Sequence, residues 1–521
     1  MQCWLTSLTE RHKSPIIQAF IKPMALPWVV VTDPFESQDI LLRRTKEFDR
    51  SGFFGELIGG ILPEQHIQFL SSDARFKDNR NLINHLMAPT FITQVSGPRV
   101  YTAASTMIRL WELKCSTAEG RPFTAHHDIT YMALDVIFAA MFGHPESESI
   151  TTKRLEVVSQ WDATWANIPD SVDEPVQFPE AEVPSVFAAA LTLANSVTDT
   201  QLSPLPRATS WVLRQLPYMR KATAIKDRYI SDRVIESVLV IKQDHKTNTT
   251  TPPRTALHSV LLRERDVAAK ENRAPSYHKR AIADEFFGFM LAGHDTSATA
   301  IAWGVKFLAD HPAAQTRLRV ALRAALPEAT QAKRTPTYAE LAKAHIPYLD
   351  AVVEEVLRHA NTIAFVVRRA LQDTTVLGRH IPRGTDVFLM ANGAGYLEPT
   401  MAVPDGERSP GARASETKSG LTGVWDDGDV AAFRPERWLK VDEDGGESFD
   451  FMAGPTLAFG LGPRGCFGKK FALHELKITF ALLVWHFELL KTPEKLSSYD
   501  SVQRFAREPA QCYVRLRNAN I

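Results

Sequence analysis

The chain has 521 residues, 44% of them hydrophobic and 23% charged, which is ordinary composition for a globular protein. Lysine plus arginine and aspartate plus glutamate balance at 60 each, which excludes a chain-wide basic footprint for nucleic acid or an anionic membrane surface. The four cysteines, Cys3, Cys115, Cys466 and Cys512, are too far apart for a zinc knuckle, a redox pair or a dense disulfide framework, and point to a reducing compartment.

No uninterrupted run of roughly 18 apolar residues occurs. Glu10, Arg11, His12 and Lys13 break the start of the chain too early for a secretory signal or a membrane anchor. Residues 1–27 therefore read as an extension without an anchor, and 28–521 as one domain. In chain order, 28–32 reads as a strand and 131–142 as an apolar helix around Asp135. Residues 277–309 read as one very long helix, stopped by Asp310, His311 and Pro312. Another helix is expected within 339–358, and a hairpin over 374–389 with turns at Gly378 and at Pro382-Arg383-Gly384. The Gly-, Pro-, Ser- and Asp-rich stretch 404–429 reads as a mobile surface insertion. Residues 469–484 form a helix by the spacing of Ala472, Leu476, Phe480 and Leu483, and 487–489 is expected to pair with 513–515. The fold class that follows is mainly α with small peripheral sheets.

The residues from Phe459 to Gly468 read F-G-L-G-P-R-G-C-F-G. Gly460, Gly462 and Gly465 spell a dinucleotide-binding turn, but no buried strand precedes them and no βαβ unit surrounds them. The cysteine supports a different reading. Glycines allow close approach to a flat cofactor. Cys466 precedes a helix start near Gly468, whose free N–H groups and positive end favour a thiolate. Thiolate is a standard axial ligand of haem iron, and Arg464 can pair with a haem carboxylate.

This segment resembles the cysteine loop of the cytochrome P-450 superfamily. The pattern F-G-x-G-x-R-x-C-x-G is met at Phe459, Gly460, Gly462, Arg464, Cys466 and Gly468. Four more segments resemble the family's. Ala292-Gly293-His294-Asp295-Thr296-Ser297 in the long helix resembles the oxygen-binding groove. Glu355-Val356-Leu357-Arg358 matches E-x-x-R, with both side chains on one helical face, and Phe433 to Trp438 resembles the segment that adds a third member, Arg437. Phe76-Lys77-Asp78-Asn79-Arg80 aligns with W-K-x-H-R, keeping Arg80. The chain departs from the family's proline pair after Arg358, with His359, Ala360 and Asn361 instead. Asp135-Val136-Ile137 and Phe142-Gly143 are most similar to eukaryotic, fungal-type members.

The resemblance implies a cytochrome P-450 fold, a large helical domain around haem b, and a monooxygenase of secondary metabolism. One atom of dioxygen would enter a C–H or C=C bond of a small hydrophobic or mid-polarity substrate. Cys466 would hold the iron, while Arg80, Arg368, Phe459, Gly460, Arg464 and Gly468 would contact the haem, with Arg369 the alternative to Arg368. Asp295 would relay protons and Thr296 would bond to dioxygen. Glu355, Arg358 and Arg437 would form a structural triad. Position in the chain offers Phe287, Leu291, Ile363, Ala364 and Phe365 as substrate contacts. Electrons would come from NADPH through a separate diflavin reductase. The protein is expected to be an intracellular monomer, at the endoplasmic reticulum surface if it touches membrane and otherwise cytoplasmic. The competing readings are a haem-thiolate isomerase or dehydratase that uses no dioxygen, and a non-catalytic haem-binding protein. The acid–alcohol pair Asp295-Thr296 weighs against both.

Overall fold

The computed structural model describes residues 2–21, 26–161, 168–203, 205–247, 252–416 and 422–519. The helices Gly97–Ala118, His126–Phe142, Arg280–Asp310, Pro347–Ala360 and Lys469–His486 contribute to one large apolar core. Arg280–Asp310 runs through its middle and packs lengthwise against His126–Phe142. Gly293 makes that approach possible, since a Cβ there would lie 2.5 Å from Ile137 Cδ1. Glycine at this position is thus a packing requirement, and the helix is continuous through it. It ends at His311, directly before Pro312 opens the next helix, Pro312–Ala325.

The single helix expected within 339–358 is two. Tyr338–Lys343 is closed at its start by a capping box between Thr337 and Glu340. Pro347 then opens Pro347–Ala360, because the residue before a proline is pushed out of the helical region, as Ile346 is. Asn361, in the left-handed conformation at φ +47°, ends that helix where relatives often carry prolines.

A five-stranded sheet flanks the helices in the order Ile16–Ala19, Trp28–Val31, Asp386–Met390, Phe365–Ala370, Phe48–Arg50. Trp28–Val31 runs parallel to Asp386–Met390, and the other neighbours are antiparallel. The fold therefore begins before Trp28. Ile16–Ala19 is paired, and Leu5 of the first helix, Gln2–His12, is fully buried in one cluster with Phe365 and Phe388. The hairpin expected over 374–389 divides after Ile381. Thr374–Val376 pairs with Arg379–Ile381, while Asp386–Met390 is more buried and joins the large sheet. Phe487–Leu490 does pair with Tyr513–Asn518, with Leu489 facing Leu516, while Tyr513 and Val514 pair on the strand's other edge with Phe123–Thr124.

The stretch 404–416 is docked, in contrast to the mobile insertion expected from its composition. Arg408 Nη2 lies 2.7 Å from Asp33 Oδ2, both side chains being buried. Ser409 donates its N–H to Glu36 and its hydroxyl to Asp39, seating the helix Pro410–Glu416 on Pro34–Leu42. Trp425 packs against Trp438 at 4.8 Å between ring centres. Residues 417–421 of the stretch lie outside the described residues.

Candidate active site

Cys466 sits in a tight loop between the sheet and the helix Lys469–His486. Its N–H donates to Phe459 O at 2.7 Å, and Gly465 N–H donates to Gly462 O at 3.0 Å. Gly462 has φ +69°, and a Cβ there would collide with the Leu41 carbonyl oxygen, so only glycine lets the loop lie on the Pro34–Leu42 helix. The Cys466 side chain remains accessible although protein surrounds it. Burial pushes its pKa up, while the N–H groups of Gly468 and Lys469 and the charges of Arg80 and Lys469 pull it down. The helix start supplies the expected donors, but burial outweighs them, and the free thiol is favoured. Gly468 leaves open space on its Cβ side, as does Gly460 apart from Val366 and Gly465.

Arginines converge beside this loop. Arg464 lies over the Phe76 ring at 4.1 Å, and Arg80 over the Phe467 ring at 4.9 Å. Arg80 also feels the charges of Glu285 and Cys466. In the strand Phe365–Ala370, side chains alternate. Arg368 turns inward, while Arg369 turns outward and makes a two-pronged pair with Asp386 at 2.8 Å on each arm. Of the two, Arg368 is thus the one that lies in the interior near Arg464. Arg50, which no motif singled out, joins them from the neighbouring strand. Arg50 Nε and Nη2, Arg368 Nη2 and Arg464 Nη1 are buried without a hydrogen-bond partner among the described residues. Burial and the repulsion among these cations hold all three below the usual arginine range, Arg368 and Arg464 at about 10. Asp49, the carboxylate whose charge they feel, is taken up by the Ser71 N–H and hydroxyl at 2.8 and 2.7 Å. Buried cations with idle N–H groups form a receptor for carboxylates.

The central helix presents Phe289, Ala292 and Thr296 on its accessible side. Phe289 reaches the Cys466 loop, its ring 5.6 Å from that of Phe467. Thr296 Oγ1 donates back to Ala292 O at 2.8 Å. Phe287 and Leu291, expected as contacts, point elsewhere and are 1% and 4% exposed. Phe287 packs beneath Lys226, and Ala364 and Phe365 are buried in the sheet cluster with Leu5 and Phe388. All four pack on the core-facing side of their elements. Ile363 is half-buried and stays a candidate. Counting one and two helical turns back from Thr296 gives Ala292 and Phe289, so periodicity could have found them.

Glu355, Arg358 and Arg437 meet in the interior. Arg358 Nε and Nη2 donate to the two Glu355 oxygens at 2.9 and 2.8 Å, and Arg437 Nε donates at 3.2 Å. Trp438 Nε1 and the Arg434 N–H complete the acceptor shell at 2.9 and 2.8 Å. Burial alone would raise the Glu355 pKa, but the hydrogen bonds and charges of Arg358 and His359 bring it well below the carboxylate range. His359 stands 3.3 Å from Glu355 and stacks edge-on against Phe307 and Phe433, so it belongs to the network.

The cytochrome P450 family model matches residues 7–398 and 424–514, passing over the stretch that docks through Arg408. The chain is 35% identical to cytochrome P450 monooxygenase TRI13 of Fusarium sporotrichioides, covering 99% of this chain and 90% of that protein. It is 34% identical to cytochrome P450 monooxygenase GME11363 of Pestalotiopsis microspora, with 98% and 88% covered. Its fold is similar to the crystal structure of the cytochrome P450DA heme domain, with a TM-score of 0.68, 17% identity, and 99% and 93% of the two chains covered. With a match over nearly its whole length, the chain belongs to the cytochrome P450 family, and it is a haem-thiolate monooxygenase that hydroxylates or epoxidises small organic molecules.

Proposed function

We propose that Cys466 is the axial ligand of the haem iron, and that Arg80, Arg368, Arg464 and Arg50 hold the haem carboxylates. The observation that carries this is the set of buried guanidinium N–H groups without protein partners beside the accessible Cys466 thiol. A flat dianion with a cation at its centre answers both needs. Its carboxylates satisfy the arginines, and its metal favours the thiolate that burial disfavours. Phe459, Gly460 and Gly468 line the loop around the sulfur without filling the space beside it.

The haem, when bound, supplies the oxygen-activating chemistry. The chain supplies position and protons. Thr296 offers a hydroxyl on the accessible side of the central helix, and Asp295 is the adjacent acid. Phe289, Ala292 and Ile363 provide apolar contacts for a small hydrophobic or mid-polarity substrate. The likeness of Asp135-Val136-Ile137 and Phe142-Gly143 to fungal-type members supports a place in secondary metabolism. Glu355, Arg358 and Arg437 hold the segment below the cysteine loop and take no chemical part.

Cytochrome P450 monooxygenases draw electrons from a reductase. Here it is a separate NADPH-dependent diflavin enzyme, serving a monomeric chain inside the cell. Among the described residues no helix is long and apolar enough to cross a membrane. Contact with the endoplasmic reticulum surface is supported by exposed apolar residues at Leu205, Trp211 and Val212 and at Phe20 and Leu26.

The reduced, carbon-monoxide-bound spectrum of the holoprotein tests the reading. The wild type should show the red-shifted band of thiolate-ligated haem, and Cys466→Ala should lose it. Retention of the band in Cys466→Ala would overturn the assignment.

A further inference from the structure

Asp295 opens onto a small cavity on the side of the central helix away from its accessible stripe. His126 and Thr130 line it from the His126–Phe142 helix, Asp295 and Thr299 from the central helix, and Glu508 from the strand Arg507–Pro509. Glu508 is 7% exposed and lines the cavity with Asp295, whose charge it feels. Arg504 Nη1 lies 3.7 Å from Glu508 Oε2, and its side chain is 49% exposed, so Glu508 connects the cavity to solvent. Asp295 Oδ2 is buried without a hydrogen-bond partner, leaving an acceptor free.

Two carboxyl groups buried in one cavity do not both ionise readily, so the pair favours holding one proton. Burial and the charge of Asp295 push Glu508 up to about 7, while burial holds Asp295 at about 6 against the Ala506 backbone and Arg504. Both carboxyls are thus raised, and Glu508 is the one that stands beside the solvent-facing Arg504. His126 is pushed down to about 4 by burial and by His127 and Arg504, so it is a neutral imidazole that can both accept and donate.

We infer that Glu508 stores the proton that Asp295 passes toward Thr296, and that the cavity beside His126 admits its replacement. This rests on the monooxygenase roles proposed for Asp295 and Thr296. In the step, the O–H bond of Glu508 breaks and an O–H bond forms on Asp295. The negative charge moves to Glu508, beside Arg504. Glu508 then regains a proton from water at the Arg504 side. No electron moves in this step; reducing equivalents come from the reductase. Glu508 touches no reacting atom and is a positioning residue for the proton, acting through Asp295.

The test uses the haem-loaded enzyme with NADPH and a diflavin reductase. Oxygen consumption is followed in light and heavy water across neutral pH for wild type, Glu508→Gln, Glu508→Asp and Asp295→Asn. Glu508→Gln should slow consumption by roughly tenfold, the low end for a lost proton-transfer group. It should also enlarge the solvent isotope effect and abolish the decline in rate that the wild type shows above about pH 7, where Glu508 gives up its proton. Glu508→Asp should restore most of the rate, with the carbon-monoxide spectrum unchanged throughout. If Glu508→Gln matches the wild type in isotope effect and pH profile while Asp295→Asn is slow, the proposal is wrong and the monooxygenase roles stand. If the wild type consumes no oxygen, those roles fall first. Should Glu508→Gln not bind haem, Arg504→Gln must shift the pH profile, and an unshifted profile overturns the proposal.

Discussion

Arg50 and Arg368 stand directly opposite each other in antiparallel register on adjacent strands, two like charges face to face in the interior. Opposed like charges destabilise a sheet, and burial adds a desolvation cost. The arrangement is reasonable only if an anion offsets it. Arg50→Leu is expected to make the haem-free protein as stable as wild type or more so, and to weaken haem retention by roughly tenfold, about one charge-assisted hydrogen bond. Thermal unfolding of both forms and haem transfer to an acceptor apoprotein measure the two effects. A variant that keeps its haem as firmly as wild type would remove Arg50 from the site.

The loop geometry makes a separate prediction. Gly462→Ala places a Cβ against the Leu41 carbonyl in a backbone conformation of positive φ. The expected cost is about 2 kcal/mol or more, from strain and displacement of the loop. Because Cys466 hangs from that loop, the carbon-monoxide spectrum should lose its thiolate band although the cysteine is intact. An unchanged spectrum and melting temperature would show that the loop adapts.

The buried network predicts acid behaviour. Glu355 is held below its ordinary range, so its stabilisation is complete above the unfolded carboxylate pKa of about 4.3 and is lost only as pH falls toward the lower folded value. Glu355→Gln leaves Arg358 buried without a counter-charge and Arg437 with Asp429 alone, at a cost of about 3 kcal/mol at neutral pH. Wild type and variant stabilities should converge as the pH falls below that ordinary carboxylate value. Denaturant unfolding from neutral to acid pH measures the gap, and a constant gap would contradict the linkage.

Arg408→Ala addresses the docked stretch. It leaves Asp33 buried without its cation, for about 3 kcal/mol. Limited proteolysis should then cut within 404–416 faster than in wild type. Equal cleavage would show that Ser409 and the Pro410–Glu416 helix suffice to hold the segment.

Much of the site was legible because its residues are close in the chain. The Phe459–Gly468 loop and the Glu355–Arg358 pair are local patterns, and the triad's third member lies in a recognisable segment. Arg50 carried no local signal; only strand pairing places it beside Arg368. The burial of the expected substrate contacts was illegible for a different reason. Phe287 and Leu291 were chosen by nearness in sequence, whereas a helix presents residues three to four apart on one side. The docked stretch was misread because glycine and proline content reports turns, and says nothing of the Arg408–Asp33 pair formed across the fold.

The sequence by itself determined the family, the cysteine in its glycine-rich loop and the mainly helical class, because each is written in short-range spacing. Tertiary structure alone decided which of Arg368 and Arg369 faces inward, that Arg50 joins it, and that Asp295 meets Glu508. Those relationships depend on strand alternation, on register and on contacts between segments distant in the chain, and burial gives them their energy.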